Sequence, residues 1–195
     1  QDPPAVQILM HSLIGLSAER VEPDRTIDAM VHNIAAQQHA DGSWGEFGIM
    51  RPPTSDSLIT SPAIGIRALQ AYKLPARKAE FEERITRAAR WLQRAEVSTT
   101  EDVVVRLLGL KWAGLSAAAL DHWAKPVLDL QRAGGGWAQT PYLKSDAYAT
   151  GTALYALKVA GVSGADVAYK KGAAYLLSTQ AADGSWHVAS RAPKF

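Results

Sequence analysis

The sequence predicts an all-α chain of about four helical hairpins arranged in two layers. Three observations carry this. A short pattern recurs three times: Gln38-His39-Ala40-Asp41-Gly42-Ser43-Trp44, Gln131-Arg132-Ala133-Gly134-Gly135-Gly136-Trp137 and Gln180-Ala181-Ala182-Asp183-Gly184-Ser185-Trp186. Each copy sets Trp six residues after Gln and Gly two before Trp, and internal repeats of this kind decide architecture before single residues decide chemistry. Apolar residues recur at helical spacing, and no segment alternates apolar and polar residues as a half-buried strand does. Gly, Ser and Asp fall where helices should stop and start.

Eight helices follow, over 4–19, 24–39, 56–73, 78–96, 100–113, 116–132, 145–160 and 164–181. The second carries Ile27, Met30, Val31, Ile34 and Ala35 on one stripe, and the fourth carries Phe81, Ile85, Ala88, Ala89 and Leu92. The eighth repeats this with Tyr169, Ala173, Leu176 and Leu177. Ser55-Asp56, Thr100-Glu101-Asp102 and Ser145-Asp146 supply caps and first-turn carboxylates for the third, fifth and seventh. Gly114 and Gly161 end the fifth and seventh. Pro62 is expected to start the third helix late or kink it, and Pro126 to bend or split the sixth. Small residues crowd the seventh helix (Ala147, Ala149, Gly151, Ala153, Ala156, Ala160), so the odd helices read as an inner layer and the charged, one-sided even helices as an outer one.

The second and third Gln lie 49 residues apart, and the first gap of 93 is close to two such periods. A degenerate copy is therefore expected at Arg87-Ala88-Ala89-Arg90-Trp91-Leu92, with the helix kept and the Gly-x-Trp turn lost. With 195 residues and 47% apolar content, the chain reads as one domain, 1–195, with a sizeable core. Its 21 basic and 19 acidic residues form no block that points to nucleic acid. No Cys is present, which removes disulfides, thiolate metal sites and thiol nucleophiles. No apolar run reaches a membrane span, so a soluble chain is expected. It starts at Gln1, so a mature form or a piece of a longer protein is expected; the compartment is open, export included.

The repeats resemble the QW repeat of squalene cyclases and related terpenoid cyclases. That repeat reads Lys/Arg-Gly/Ala, two residues, an aromatic, Leu, three residues, Gln, a few residues, then Gly-x-Trp. Lys171-Gly172-Ala173-Ala174-Tyr175-Leu176-Leu177-Ser178-Thr179-Gln180 with Gly184-Ser185-Trp186 fits at every position. The resemblance implies the α/α toroid of the terpenoid cyclase and protein prenyltransferase superfamily, with inner and outer helices alternating around a ring. It makes Gln38, Trp44, Trp91, Gln131, Trp137, Gln180 and Trp186 structural fasteners between repeats. The expected geometry has each Gln bonding free N–H groups at the start of a neighbouring helix, with Trp stacked on its amide. Four helix pairs are fewer than a closed ring of this kind holds. The chain is therefore expected to be a segment of a larger toroid or longer protein, or to complete its ring by self-association.

Squalene-to-hopene cyclases start their reaction with Asp-x-Asp-Asp. The matching place here is Asp146-Ala147-Tyr148-Ala149, where only the first Asp is present and Tyr148 stands where the second should be. A phenol is too weak an acid to protonate an alkene, so Asp146 and Tyr148 are only weak catalytic candidates. Asp56 and Asp102 begin sequences that fail the motif in the same way. The plainer role of these carboxylates is to balance helix dipoles. The zinc of protein prenyltransferases needs a Cys ligand that this chain lacks, and His11, His32, His39, His122 and His187 form no metal-binding pair. No metal and no cofactor is expected. One further candidate is an anion site at the mouth of the toroid, with Arg51, Asp56, Arg106, Tyr142 and Lys144 near the inner-helix starts. The sequence thus favours a non-catalytic binding or scaffold module for an apolar, isoprenoid-like ligand or a partner protein. The alternative is a segment of a triterpene cyclase whose catalytic acid lies outside this chain.

Overall fold

A computed structural model describes residues 6–45, 52 and 57–191. They form eight α-helices: α1 Val6–Ala18, α2 Arg25–Ala36, α3 Thr60–Ala71, α4 Lys78–Arg94, α5 Thr100–Trp112, α6 Ala117–Asp129, α7 Ala147–Ala160 and α8 Val167–Thr179. A single 3-10 turn, Pro75–Arg77, leads into α4, and no strand is found among the described residues. The all-α expectation is met, with helix ends within a few residues of those read from the sequence.

Caps explain most of the starts. Asp24 Oδ1 accepts the Ile27 N–H at 2.8 Å, Ser116 Oγ that of Ala119 at 3.3 Å, and Asp146 Oδ1 that of Ala149 at 2.8 Å. Each fills a donor that the first helical turn leaves without a partner. Pro62 sits in the first turn of α3, where its missing N–H costs no intrahelical bond, so α3 starts at Thr60 without a break. The expected split at Pro126 does not occur: α6 runs through it to Asp129. Pro126 removes one N–H from the ladder and its ring crowds the His122 carbonyl, so of the two expected outcomes, a bend or a split, only the split is excluded by the unbroken helix.

The odd helices α1, α3, α5 and α7 pack side by side in chain order as one layer. Each even helix lies against the odd helix of its own hairpin. Small residues make the close approaches in the inner layer. A Cβ on Gly109 of α5 would lie 2.7 Å from Leu92 of α4 and 2.8 Å from Ala63 of α3. Phe81, Leu92, Met10, Leu13, Ile66 and Leu107 are fully buried between the layers. On the outer face, α4 is laced by Arg84–Glu80 and Lys78–Glu82 pairs at helical spacing. Among the described residues α1 and α7 do not pack along each other, so the inner layer is an open row.

Candidate functional site

The three Gln-to-Trp turns share one construction. In the first, the His39 N–H donates to the Ser43 carbonyl and the Gly42 N–H to that of His39. Arg132, Gly136 and Gly135 repeat this in the second, and Ala181, Ser185 and Gly184 in the third. The middle glycine takes positive φ each time: 99° at Gly42, 87° at Gly135 and 87° at Gly184. A side chain rarely adopts that conformation, which is why glycine recurs there. Each indole N–H donates to the carbonyl ten residues back: Trp44 to Ile34 at 2.8 Å, Trp137 to Val127 at 2.7 Å, Trp186 to Leu176 at 2.9 Å. The Trp thereby caps the last turn of its own outer helix.

The Gln side chains correct the expected geometry. Their amides donate to carbonyls rather than receiving helix-start N–H groups. Gln38 Nε2 donates to Gly42 at 3.1 Å and, across to α4, to Arg84 at 2.9 Å. Gln131 Nε2 donates to Gly135 and, across to α8, to Ala168, both at 2.7 Å. One hydrogen closes the turn and the other fastens it to the next outer helix. The glycine backbone is pressed against that same helix. A Cβ on Gly42 would lie 2.4 Å from the Arg87 carbonyl oxygen, and one on Gly135 2.6 Å from that of Lys171.

The third turn makes only the internal half of this pattern. Gln180 Nε2 donates to Gly184 at 2.8 Å, and among the described residues no carbonyl of a further helix receives its second hydrogen. A Cβ on Gly184 would meet nothing nearer than the Gln180 amide, at 3.9 Å. Trp44 and Trp137 are 2% and 0% exposed, whereas Trp186 is 40% exposed. Val167 and Leu177 of α8 are open to solvent, and Gly172 is its only buried residue. On α7, Tyr148, Gly151, Thr152, Tyr155 and Val159 share one helical stripe, uncharged and wholly or partly exposed. A Cβ on Gly151 would meet nothing within 4 Å. The third turn, much of α8 and this α7 stripe are thus exposed where the first two turns are covered.

The degenerate repeat keeps its helix and has no Gly-x-Trp turn, as expected: Trp91 lies within α4, where it shares a cleft of about 410 Å³ with Asp41 of the first turn. By register it matches Tyr175 of α8, whose hydroxyl donates to the Ser145 carbonyl at 2.6 Å. The link from α4 to α5 has no Gln-to-Trp turn. Instead, Arg106 of α5 donates to the Ala95 carbonyl at the end of α4, and its guanidinium lies 5.5 Å from the Trp123 ring of α6. Sequence reading missed this use of Trp123; its departure from the small residues found at the matching places of α4 and α8 was the available signal.

At the inner-helix starts, Asp146 is the N-cap of α7 and also accepts the Gln139 amide at 2.9 Å. Tyr148 donates its hydroxyl to the Glu101 carboxylate of α5, at 3.2 Å to the nearer oxygen. Asp102 closes a capping box with Thr99 and accepts the Ser98 and Thr99 N–H groups, each at 2.8 Å. Burial pushes the Asp102 carboxyl upward, but hydrogen bonds from Ser57, Ser98 and Thr99 outweigh it and hold the group below its usual range. The Thr100 N–H is taken by Gln139 and that of Asp146 by Trp137, so these helix starts use their donors internally.

Only three of the five anion-mouth candidates, Arg106, Tyr142 and Lys144, are among the described residues. Arg51 and Asp56 lie outside them. Arg106 is held at Ala95 and Trp123, while Tyr142 is 96% exposed and Lys144 exposed on a loop tied down by Arg132 through the Leu143, Thr140 and Pro141 carbonyls. A second cleft of about 490 Å³ runs from Val97 and Thr99 to Leu130 and Pro141, where the short α4–α5 link leaves room. Among the described residues no group of three or more His, Asp or Glu is placed to hold a metal, and no helix is long and apolar enough to cross a membrane. No protein-family model matches the chain, and no curated protein matches it.

Proposed function

We propose that the chain is a squalene-cyclase-like repeat domain of the α/α-toroid type, acting as a non-catalytic scaffold that binds a partner protein over the exposed third turn, α8 and α7 stripe. One observation carries the reading: Gln180 is built like Gln38 and Gln131, yet among the described residues it has no cross-helix acceptor such as each of them has. Water satisfies the exposed Gln180 amide, whereas the Trp186 indole, 40% exposed beside exposed Val167 and Leu177, is apolar surface that a seated helix would bury. Catalysis finds less support. Asp102 and Asp146, the carboxylates at the starts of α5 and α7, are committed to capping, and Tyr148 donates to Glu101.

Native mass spectrometry of the purified chain, joined to a turnover assay with squalene and with a prenyl diphosphate, tests this. The scaffold reading expects no product and no retained isoprenoid. A cyclised product, or an isoprenoid held one-to-one through desalting, overturns it and favours the cyclase-segment alternative.

A further inference from the structure

Three inner helices end in the same hydrogen-bonded turn, and one of them builds it on an unfavourable residue. After α5 the Gly114 N–H donates to the Lys111 carbonyl and the Leu115 N–H to that of Leu110; after α7, Gly161 and Val162 do the same with Lys158 and Leu157. The glycines stand at φ 90° and 106°, the left-handed conformation that closes a helix in this way. After α1 the bonds repeat, from Arg20 to Ser17 and from Val21 to Leu16, but the residue at positive φ is Arg20, at 58°. No other described residue with a side chain stands at positive φ. A side chain disfavours that conformation, and residues held in it against strain gather at ligand clamps.

Arg20 lines an open cleft of about 480 Å³ between the α1–α2 link and the segment that joins α3 to α4. That size suits a small molecule. The two walls are tied by the Tyr72 hydroxyl, which donates to the Val21 carbonyl at 2.9 Å. Four charged residues line the cleft, Arg20 and Lys73 against Glu22 and Asp28. Among the described residues none of the four is in an ion pair. Burial first, and then the Glu22 carboxylate, push the Tyr72 hydroxyl above its ordinary pKa, which sets Glu22 close to that hydroxyl. Asp28 is half-buried in the first turn of α2. Val21 and Leu74 add apolar surface beside these charges.

We infer that this cleft binds a free α-amino acid with an apolar side chain, its carboxylate on the Arg20 guanidinium and its ammonium on Asp28. An anion or a cation alone would be drawn by two of the four charged residues and repelled by the other two, whereas a zwitterion meets both signs at once. The planar guanidinium fork matches a carboxylate with two parallel hydrogen bonds. The strain at Arg20 then places that fork on a link where the turns after α5 and α7 have no side chain at all.

Titration of the full chain with L-leucine, followed by amide chemical shifts, tests this. The comparison probes are 4-methylpentanoate, which lacks the ammonium, and isopentylamine, which lacks the carboxylate. Leucine should saturate and move amides of residues 17–28 and 71–75. Each single-charge probe should bind at least about tenfold more weakly, the loss that one hydrogen bond to a charged group corresponds to. Arg20→Gly should weaken leucine and 4-methylpentanoate by about tenfold or more and leave isopentylamine unchanged. Asp28→Asn should weaken leucine and isopentylamine and leave 4-methylpentanoate unchanged. Arg20→Gly should also raise the folded-to-unfolded ratio by about threefold or more, because relief of left-handed strain outweighs the extra freedom of glycine in the unfolded chain. Its lost affinity is then not lost folding. No saturation by leucine, equal binding of the three probes, or unchanged leucine affinity in Arg20→Gly each overturns the inference. None of these outcomes touches the scaffold reading, which isoprenoid turnover or retention decides.

Discussion

The second and third Gln-to-Trp turns are nearly the same object in two environments. Both have the same two backbone hydrogen bonds, a glycine at φ 87° and an indole bonded ten residues back. Yet Trp137 is fully buried and Trp186 is 40% exposed, and only Gln131 reaches a further helix. The turn is a local structure that short-range bonds complete. Its energetic weight comes from what is packed on it.

Substitutions made in pairs sharpen or break that comparison. Trp137→Ala should cost about 3–5 kcal/mol as a core truncation, and Trp186→Ala about 1 kcal/mol, read by denaturant unfolding. Equal costs would mean that α8 and its turn are covered in solution. Gly135→Ala should cost about 3 kcal/mol, from left-handed strain plus collision with the Lys171 carbonyl. Gly184→Ala should cost about 1 kcal/mol, from strain alone. Gln131→Ala should cost about 2 kcal/mol for two hydrogen bonds, and Gln180→Ala about 0.5 kcal/mol; matching losses would show that Gln180 has found an acceptor.

A comparable single-kilocalorie effect, distinguished by its pH dependence, belongs to the α4–α5 link, where a capping carboxylate stands in place of a turn. Asp102 has a folded pKa below its unfolded value of about 3.9. Its contribution is therefore full above about pH 4 and is lost as pH falls through the lower, folded value. Asp102→Ala should lower stability by about 1 kcal/mol at pH 7 and flatten the acid limb of the stability profile below pH 4. An unchanged acid limb would show that the capping box is not formed in solution.

Much of the fold was legible because its signals are short-range. Asp24, Ser116 and Asp146 cap helices within three residues of themselves, and the Gly-x-Trp turns close over four to ten. At Pro126 the local rule allowed a bend or a split, and the unbroken α6 excludes the split. The site was less legible. Glu101 and Tyr148 stand 47 residues apart on different inner helices, and nothing local marks them as a pair. Trp91 lies in the body of α4, as read from the sequence, and its neighbour Asp41 belongs to a distant turn that nothing local marks.

By itself the sequence determined the eight helices to within a few residues, the Asp146 cap of α7, the three turns and the alternation of small-residue and charged helices. These follow from backbone preferences and bonds between near neighbours in the chain. Only the tertiary structure decided that the Gln amides donate outward, to carbonyls 46 and 37 residues away, and that two turns are seated while the third is open. It also decided that Trp123, under Arg106, takes a place kept small in α4 and α8. Such partners are set by which helix packs beside which, and that choice is made by the layers as a whole rather than by any one segment.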